Sequence, residues 1–585
     1  MAVCCNTCIY AFLILYILLA ALSDIADGKR SKGGARRGPG RLRRCRPRHS
    51  PGRRWYDMLS RHQENDNTVK DMEKVRACLQ EAIGPAPQVR LEPFVNWAEI
   101  VRRDHVFVIK PTTNEEVKKV IKAAMQMNLR IRVAGASALS WSDLFPDNGQ
   151  ILLDLADLTL ENGQRAVFNP PTMNTPYSTV TVAAGVSQGE LDSFLLSVGH
   201  TLVTGPRPIQ VTMAGGLGTA AHGGSYDEPS IGGHLKSAKL FDAYGRLRQF
   251  SASKNPDVLR ALRCHLGLLG VIVEVEIKVE PIRMMKVFTA FVPLSQMLNA
   301  TFVKELVTRN YYVEARWAVY NSLTEEEVQE TITNGSVPTT WNIEEDLVWL
   351  SIAHVNGTEP DLDLDFKVTP NLGVTPISAG QQMFEFLATN LSISEPVVIP
   401  KPFAIHGVDA HALPPMVTMA SFIKETEEFS TNTVALQAMV SAIEGASFTR
   451  GILPVGLVEM RWVKETDCFL CPGRSDTCGV PGDSRYLALE VVGLGEPVEA
   501  LEGFKQFVQS IYSQLDQIGL SGMPHWAKMA GLFPELRQKL NDPNNRQCTR
   551  EFLKVRDQLD PRGRRFSNHL MRELFKSVPK HKRRG

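Results

Sequence analysis

Unbroken apolar sequence is short in this chain. The run Ile9–Leu22 stops at fourteen residues, below the roughly 20 that a membrane-spanning helix needs. It suits the core of a signal peptide, with small residues following near Ser23; the usual positive residues before it are missing, which keeps an uncleaved N-terminal anchor open. Charge of one sign is also missing. The formal net charge is +2, but twelve Lys or Arg lie between Lys29 and Arg54, and the body from Trp55 onward holds 53 basic against 61 acidic residues. A slightly acidic body gives no support to nucleic-acid binding. Cysteine is sparse, with ten in all and seven after the apolar run, so at least one lacks a partner within the chain. Cys468, Cys471 and Cys478 form C-x2-C-x6-C with no obvious fourth ligand. A local disulfide in an oxidising compartment is therefore favoured over structural zinc, and no metal site is expected.

What is present is an ordinary globular composition, 43% hydrophobic and 22% charged, in a chain of 585 residues. That length exceeds one core, so two or more domains are expected. The Gly, Pro and Arg-rich segment Lys29–Arg54 reads as a disordered arm. Such an arm suits anionic lipid or glycans, and Arg41-Leu-Arg-Arg44 suits a basic-specific processing protease; a solvated tail with no partner is the equal alternative. Sequons at Asn299, Asn334, Asn356 and Asn390 fit passage through the secretory route, with the protein secreted or held in the endoplasmic reticulum lumen or at its membrane.

The stretch Thr204–Gly245 packs glycine and alanine around His222. Backbone this bare can lie directly against a ligand and turn N–H groups onto phosphate oxygens, so it is the candidate cradle for a cofactor diphosphate. Gly216, Gly218 and Ala221 spell G-x-G-x-x-A, yet Gly223, Gly224, Pro229, Gly232 and Gly233 follow and cannot propagate the helix of a Rossmann unit.

Around this stretch the periodicity predicts a helix over Asn67–Ile83, with Val69, Met72, Val75 and Leu79 on one face. A strand over Val106–Lys110 is followed by an amphipathic helix over Asn114–Asn128 with Val117, Val120, Ile121, Ala124 and Met125 inward. Further strands are expected at Ile131–Val133, Ile151–Leu155, Ser178–Ala183, Lys236–Asp242 and within Arg263–Val279, and a second helix at Gly189–Val198. Strands and helices alternate without the steady beat of a doubly wound sheet, so the fold class is α+β.

This order of residues resembles the FAD-binding domain of the vanillyl-alcohol oxidase superfamily, specifically the aldonolactone and alditol oxidases. The resemblance rests on Pro111-Thr-Thr-Asn-Glu-Glu-Val, Arg132-Val-Ala-Gly-Ala-Ser, Ser140-Trp-Ser-Asp, Ala184-Gly185, Val211-Thr-Met-Ala-Gly-Gly, Ala221-His-Gly, Asp242-Ala-Tyr-Gly and Leu266-Gly-Leu-Leu-Gly. It runs from about Phe94 to Phe575, and the order and spacing of the pieces carry it. It implies a two-subdomain, PCMH-type FAD-binding domain over 94–280 and an α+β substrate domain with a large antiparallel sheet over 281–575. The remaining divisions are a signal peptide or anchor over 1–23, a basic arm and short helix over 24–93, and a basic tail over 576–585. The cofactor-binding residues it implies are Gly135, Ala136, Ser137, Ala138, Leu139, Ser140, Trp141, Ser142, Gly205, Thr212, Gly215, Gly216, Thr219, His222, Gly223 and Val273. Relatives with covalently attached flavin carry a histidine where this chain has Leu139, so the FAD is expected to be noncovalent.

The expected chemistry lies in the second half. Val458-Glu-Met-Arg-Trp462 alternates as a strand, placing Glu459 and Arg461 on one face. A fixed guanidinium stabilises charge developing in the oxidation of an alcohol carbon, and a neighbouring carboxylate orients it, binds a hydroxyl or takes its proton. E-x-R is equally the spacing of an ordinary cross-strand ion pair. Met523-Pro-His-Trp-Ala-Lys528 resembles the family's H-W-x-K signature, which implies roles for His525 and Lys528; Leu559-Asp-Pro-Arg-Gly563 with Phe566 and Asn568 resembles its ending, with one extra residue. The long segment Lys464–Arg485 reads as a disulfide-pinned flap at the substrate entrance or a decorated surface loop. The implied activity is oxidation of a sugar-derived hydroxyl, foremost an aldono-1,4-lactone like L-gulonolactone as in ascorbate biosynthesis, with O2 giving H2O2. An alditol or sugar oxidase, a dehydrogenase with another acceptor, and a non-catalytic secreted binding protein are the alternatives; Pro206 and its neighbours, where oxygen access is controlled, do not match the oxidase pattern cleanly.

Overall fold

The computed structural model describes residues 66–135, 137–335, 341–355, 379–393, 395–407, 410, 416–446, 455–494, 498–520, 522–533 and 535–576. The run Ile9–Leu22, the arm Lys29–Arg54, Ala136, the sequon at Asn356 and residues 577–585 of the tail lie outside them.

Helix α1 (Asp66–Ile83) buries Met72, Val75, Leu79 and Ile83. Val69, expected on the same face, is instead more than a third exposed. Helix α2 (Asn114–Met127) starts where the Thr113 hydroxyl accepts from the Glu116 N–H and ends where Asn128 turns left-handed at φ 56°. It buries Val117, Val120, Ile121 and Ala124 as its periodicity requires, but Met125 points outward and Ala123 takes its place. These helices pack with a four-stranded sheet ordered β1 (Val89–Val95), β2 (Arg102–Ile109), β4 (Ile151–Asp154), β3 (Ile131–Ala134), parallel except for β1.

A second sheet is ordered β5 (Ala166–Asn169), β6 (Thr179–Ala183), β10 (Val271–Pro281), β8 (Leu235–Phe241), β9 (Leu247–Ser251), with β7 (His200–Leu202) also on β10. Helix α3 (Gln188–Ser197) is capped by Ser187. Helix α4 (Met213–Thr219) is built from MAGGLGT and capped by Thr212. The glycine-rich stretch is therefore not a continuous bare ribbon. Only residues 213–219 of it wind into this short helix, which Ala220 stops in the left-handed region at φ 58°.

The third sheet is antiparallel throughout. Its order is β14 (Val397–Pro400), β11 (Met284–Pro293), β13 (Leu347–Val355), β12 (Tyr312–Ala318), β16 (Leu457–Lys464), β17 (Arg485–Leu494), β15 (Met416–Lys424), β18 (Met523–Pro524). Among the described residues no helix is long and apolar enough to cross a membrane.

Two expected boundaries move. A division at residue 94 would cut β1, which pairs with β2, and α1 shares the core of the first domain through Leu79 and Ile83. At the other end, residues 560–568 return to the first domain. Ile131 N–H donates to the Arg565 carbonyl, Arg130 to the Ser567 hydroxyl at 2.6 Å, and the Asn568 amide to the carbonyls of Asp143 and Phe145 at 2.7 and 2.8 Å. In this ending Arg562 is left-handed at φ 63°, and the Asp560 carboxylate collects the N–H groups of Arg565 and Phe566.

The segment 464–485 also departs from expectation. Cys468 bonds Cys471, and Cys478 reaches Cys548 on the helix Pro543–Leu559. Phe469 and Leu470 are buried, Asp467 pairs with Arg260 and Arg263, and none of these residues lines the cavity described below. Residues 465–474 form a buried cross-brace and 475–483 a largely exposed surface loop, and none of the segment lines the cavity as an entrance flap would. Cys78 is also disulfide-bonded, and Cys264 is free and buried.

Candidate active site

One long cavity runs from the first domain to the third sheet, with an empty volume of about 1490 Å³ including its open mouth. Its near wall is backbone. Gly135, Ser137, Ala138 and Leu139 follow β3; Thr212, Gly215, Gly218 and Thr219 come from α4 and its cap; Gly185, Leu266 and Gly267 close the side. Bulk is excluded here by close packing. A Cβ on Gly135 would stand 2.6 Å from the Thr212 methyl carbon, and one on Gly185 only 1.7 Å from the Leu155 carbonyl oxygen. Among the described residues the lining contains no carboxylate but does contain Arg132, Arg461 and Lys528. An elongated, glycine-walled, carboxylate-free cavity fits a dinucleotide with an anionic diphosphate.

Ten of the expected cofactor residues line this cavity: Gly135, Ser137, Ala138, Leu139, Ser140, Trp141, Thr212, Gly215, Thr219 and His222. Five described ones do not. Gly216 faces Val211 and Ile231 inside α4's packing, Gly205 abuts Gln188 and His406, and Gly223 abuts Thr204. Val273 is buried behind the wall while Ile272 lines it, as expected from strand alternation. Ser142 is buried too, donating its hydroxyl to the Lys528 carbonyl and accepting from the Ala530 N–H at 3.2 Å. Its neighbour Trp141 donates its backbone N–H to the Ala527 carbonyl at 2.7 Å. The Ser140–Ser142 turn therefore holds the His525–Lys528 segment in place, a role its sequence does not announce.

The far end is a ladder of buried charge. Antiparallel register sets Glu314 opposite Arg461, Arg316 opposite Glu459 and Glu459 opposite Glu490. Glu459 accepts from Arg461 Nε at 2.6 Å and from Arg316 Nε at 3.0 Å. Glu314 takes Arg316 at 2.6 Å and Arg207 at 2.8 Å. Glu490 takes Lys528 Nζ at 2.7 Å and Arg461 Nη2 at 3.2 Å. Lys528 Nζ also sits 4.3 Å from the centre of the Trp141 ring. Burial alone would raise the Glu459 carboxyl, but Arg461, Arg316, Lys528 and Arg207 overcome it and bring the pKa down to about 2. With both oxygens engaged and so low a pKa, Glu459 is an orienting group and not a proton acceptor. Arg461 is held fully charged: burial works against it, and Glu459, Glu490 and Glu314 outweigh burial.

Two histidines complete this end. His222 and His525 have ring centres 5.4 Å apart and both line the cavity. Burial, then Arg461, brings His222 down to about 3; burial, then His222 and Lys528, pushes His525 well below its ordinary value. Both are neutral, in opposite tautomers assigned from their partners. His222 Nδ1 donates to the Gly223 carbonyl at 2.7 Å, leaving a lone pair on Nε2. His525 Nδ1 accepts from the Ala527 N–H at 3.1 Å, leaving Nε2 to carry the proton.

The structure thus brings Arg461, Lys528 and His525 to one cavity, with Glu459 directly behind Arg461. Sequence reasoning missed Arg207, Glu314, Arg316, Glu490 and Thr418, whose hydroxyl donates to Glu490. A signal existed for some: Glu314 and Arg316 alternate in the strand YVEARWA, and Glu490 is the lone acid in YLALEVV.

Comparison with known proteins agrees with this geometry. The FAD binding domain family matches residues 106–251, and the D-arabinono-1,4-lactone oxidase family matches residues 426–574. The chain is thus an FAD-dependent oxidoreductase with an α+β, PCMH-type fold. Its two matched domains group it with the aldonolactone oxidases. L-gulonolactone oxidase from Scyliorhinus torazame is 23% identical over 500 residues, spanning 82% of this chain and 98% of that one. D-arabinono-1,4-lactone oxidase from Eremothecium gossypii is 29% identical over 189 residues, 32% of this chain and 34% of that one. Among solved structures, cholesterol oxidase from Brevibacterium sterolicum superposes with a TM-score of 0.64 at 15% identity, covering 84% and 97% of the two chains, a likeness of fold.

Proposed function

We propose that this protein oxidises a hydroxyl of a neutral sugar lactone, foremost an aldono-1,4-lactone of the L-gulonolactone kind, with O2 as the terminal acceptor. One observation carries the reading: Arg461, Lys528, His222 and His525 converge on a cavity whose other end is the glycine wall. FAD held along that wall supplies the hydride acceptor. Arg461, locked by Glu459 and Glu490, and Lys528 donate hydrogen bonds to substrate oxygens and stabilise negative charge as it develops. The His222 Nε2 lone pair accepts a hydrogen bond from the substrate hydroxyl, and His525 Nε2–H donates to a second substrate oxygen. Leu139 stands where relatives with covalently attached flavin carry a histidine, which supports noncovalent FAD. Acid precipitation should therefore leave a colourless pellet and a yellow supernatant.

The protein resides in the secretory pathway, which the disulfides of Cys468–Cys471 and Cys478–Cys548 support. Sensitivity of its glycans to endoglycosidase checks that placement. For the activity, anaerobic addition of L-gulono-1,4-lactone should bleach the flavin absorbance, and air should restore it with release of peroxide. Bleaching by no lactone or alditol would overturn the reading; bleaching restored only by an added dye would assign a dehydrogenase instead.

A further inference from the structure

Glu490 is the lone charged residue in the run YLALEVV of its strand and is buried. Its register neighbour on β16 is another carboxylate, Glu459. Like charges directly opposite across a strand pair are destabilising unless cations intervene. Here two do: Glu490 Oε2 takes Arg461 Nη2 at 3.2 Å, and Oε1 takes Lys528 Nζ at 2.7 Å together with the Thr418 hydroxyl. Arg461 and Lys528 line the cavity, whereas Glu459 and Glu490 do not. Each cation offered to substrate is therefore backed by a carboxylate within hydrogen-bond distance. Arg316 and Arg207 share Glu314 farther back and do not line the cavity.

Such a pocket gives a neutral ligand strong donors without giving an anion an unpaired partner. A sugar lactone and the open-chain acid formed by its hydrolysis carry the same skeleton and nearly the same hydroxyls. Hydrogen-bond pattern separates them poorly; charge separates them well. A carboxylate placed against Lys528 would lie within a few ångströms of Glu490, where like charges at an effective dielectric of about 20 cost more than a tenfold loss of affinity. We propose that Glu490 sets the charge selectivity of this pocket, holding it to neutral hydroxylic substrates and rejecting anionic sugar acids. This rests on the oxidase reading above for its substrate class, and it makes Glu490 a specificity-determining residue that acts through Lys528 and Arg461.

The test is calorimetric binding of L-gulonate to the flavin-loaded protein, without turnover, in wild type and Glu490→Gln. The variant should bind L-gulonate at least about tenfold more tightly, with a gain that fades as salt rises. Glu490→Asp, which keeps the charge, should retain wild-type selectivity, and the double variant Glu490→Gln/Lys528→Met should lose the gain. Equal binding by wild type and Glu490→Gln, or a gain that survives in the double variant, overturns the proposal. Should Glu490→Gln fail to fold, Lys528→Met decides: with Glu490 left unpaired it should bind L-gulonate more weakly than wild type, and equal binding overturns the idea. Because these are binding measurements, absence of turnover with every lactone would defeat the oxidase reading alone.

Discussion

At the scale of single residues, the site is a contest between burial and pairing. Glu459 and Arg461 are both buried, and each is ionised because the other and the next rung are there. Removing one partner of a buried pair costs about 3–5 kcal/mol, because the remaining charge is left without compensation. Glu459→Gln should therefore lower Tm and, by freeing Arg461 to turn, lower kcat/KM by about 10²–10³-fold. Steady-state kinetics on protein of unchanged flavin content checks this. The buried histidines are neutral instead of paired. His265 accepts from the Gly267 N–H, and its other nitrogen meets the Ala214 carbonyl; burial brings it to about 4. The unfolded chain takes up a proton near pH 6.5 and the folded one does not, so stability falls as pH drops from 6.5 toward 4. Between pH 7 and pH 5 that is about 2 kcal/mol per such histidine. His265→Gln should flatten the decline by about that amount in urea unfolding at the two pH values. Glu459 acts in the same direction but lower, its contribution present above about 4.5 and lost toward 2.

At the scale of elements, the cross-brace 465–474 joins parts that carry the cavity. Asp467 pairs with Arg263, two residues before His265, and the Leu470 carbonyl accepts from Trp526 between His525 and Lys528. The Cys478–Cys548 bond closes a separation of 70 residues. By the chain-entropy account it restricts the unfolded chain by about 4 kcal/mol. Cys478→Ser/Cys548→Ser should lower Tm without changing the flavin spectrum of the folded protein, a pairing that scanning calorimetry and absorbance together check.

At the scale of the whole molecule, the last described residues complete the first domain. Asn568 is fully buried, and its amide serves two carbonyls on the segment after Ser142. Arg132, a cavity residue, donates to the Phe566 carbonyl at 2.8 Å. Asn568→Ala should cost about 1–3 kcal/mol, since the carbonyls are left buried and unpaired. Deletion from residue 560 onward should abolish flavin retention. Gel filtration with absorbance at the flavin band measures both.

Local pattern is enough to announce the capped helix at Asn114, the strands around it, the glycine turn after β3 and the E-x-R strand, because periodicity and capping act within a few residues. Lys528 and His525 come only from the resemblance to a family signature, which does not say what holds them. Only the tertiary structure decides that Glu459 is a clamp and not a base, since one of its two arginines comes from a strand 143 residues away and the other from its own. Likewise only folding brings Glu490 beneath Lys528 and bends the chain's end back onto β3. These outcomes depend on sheet register and on which charges are desolvated together. Neither quantity exists until strands distant in sequence lie side by side.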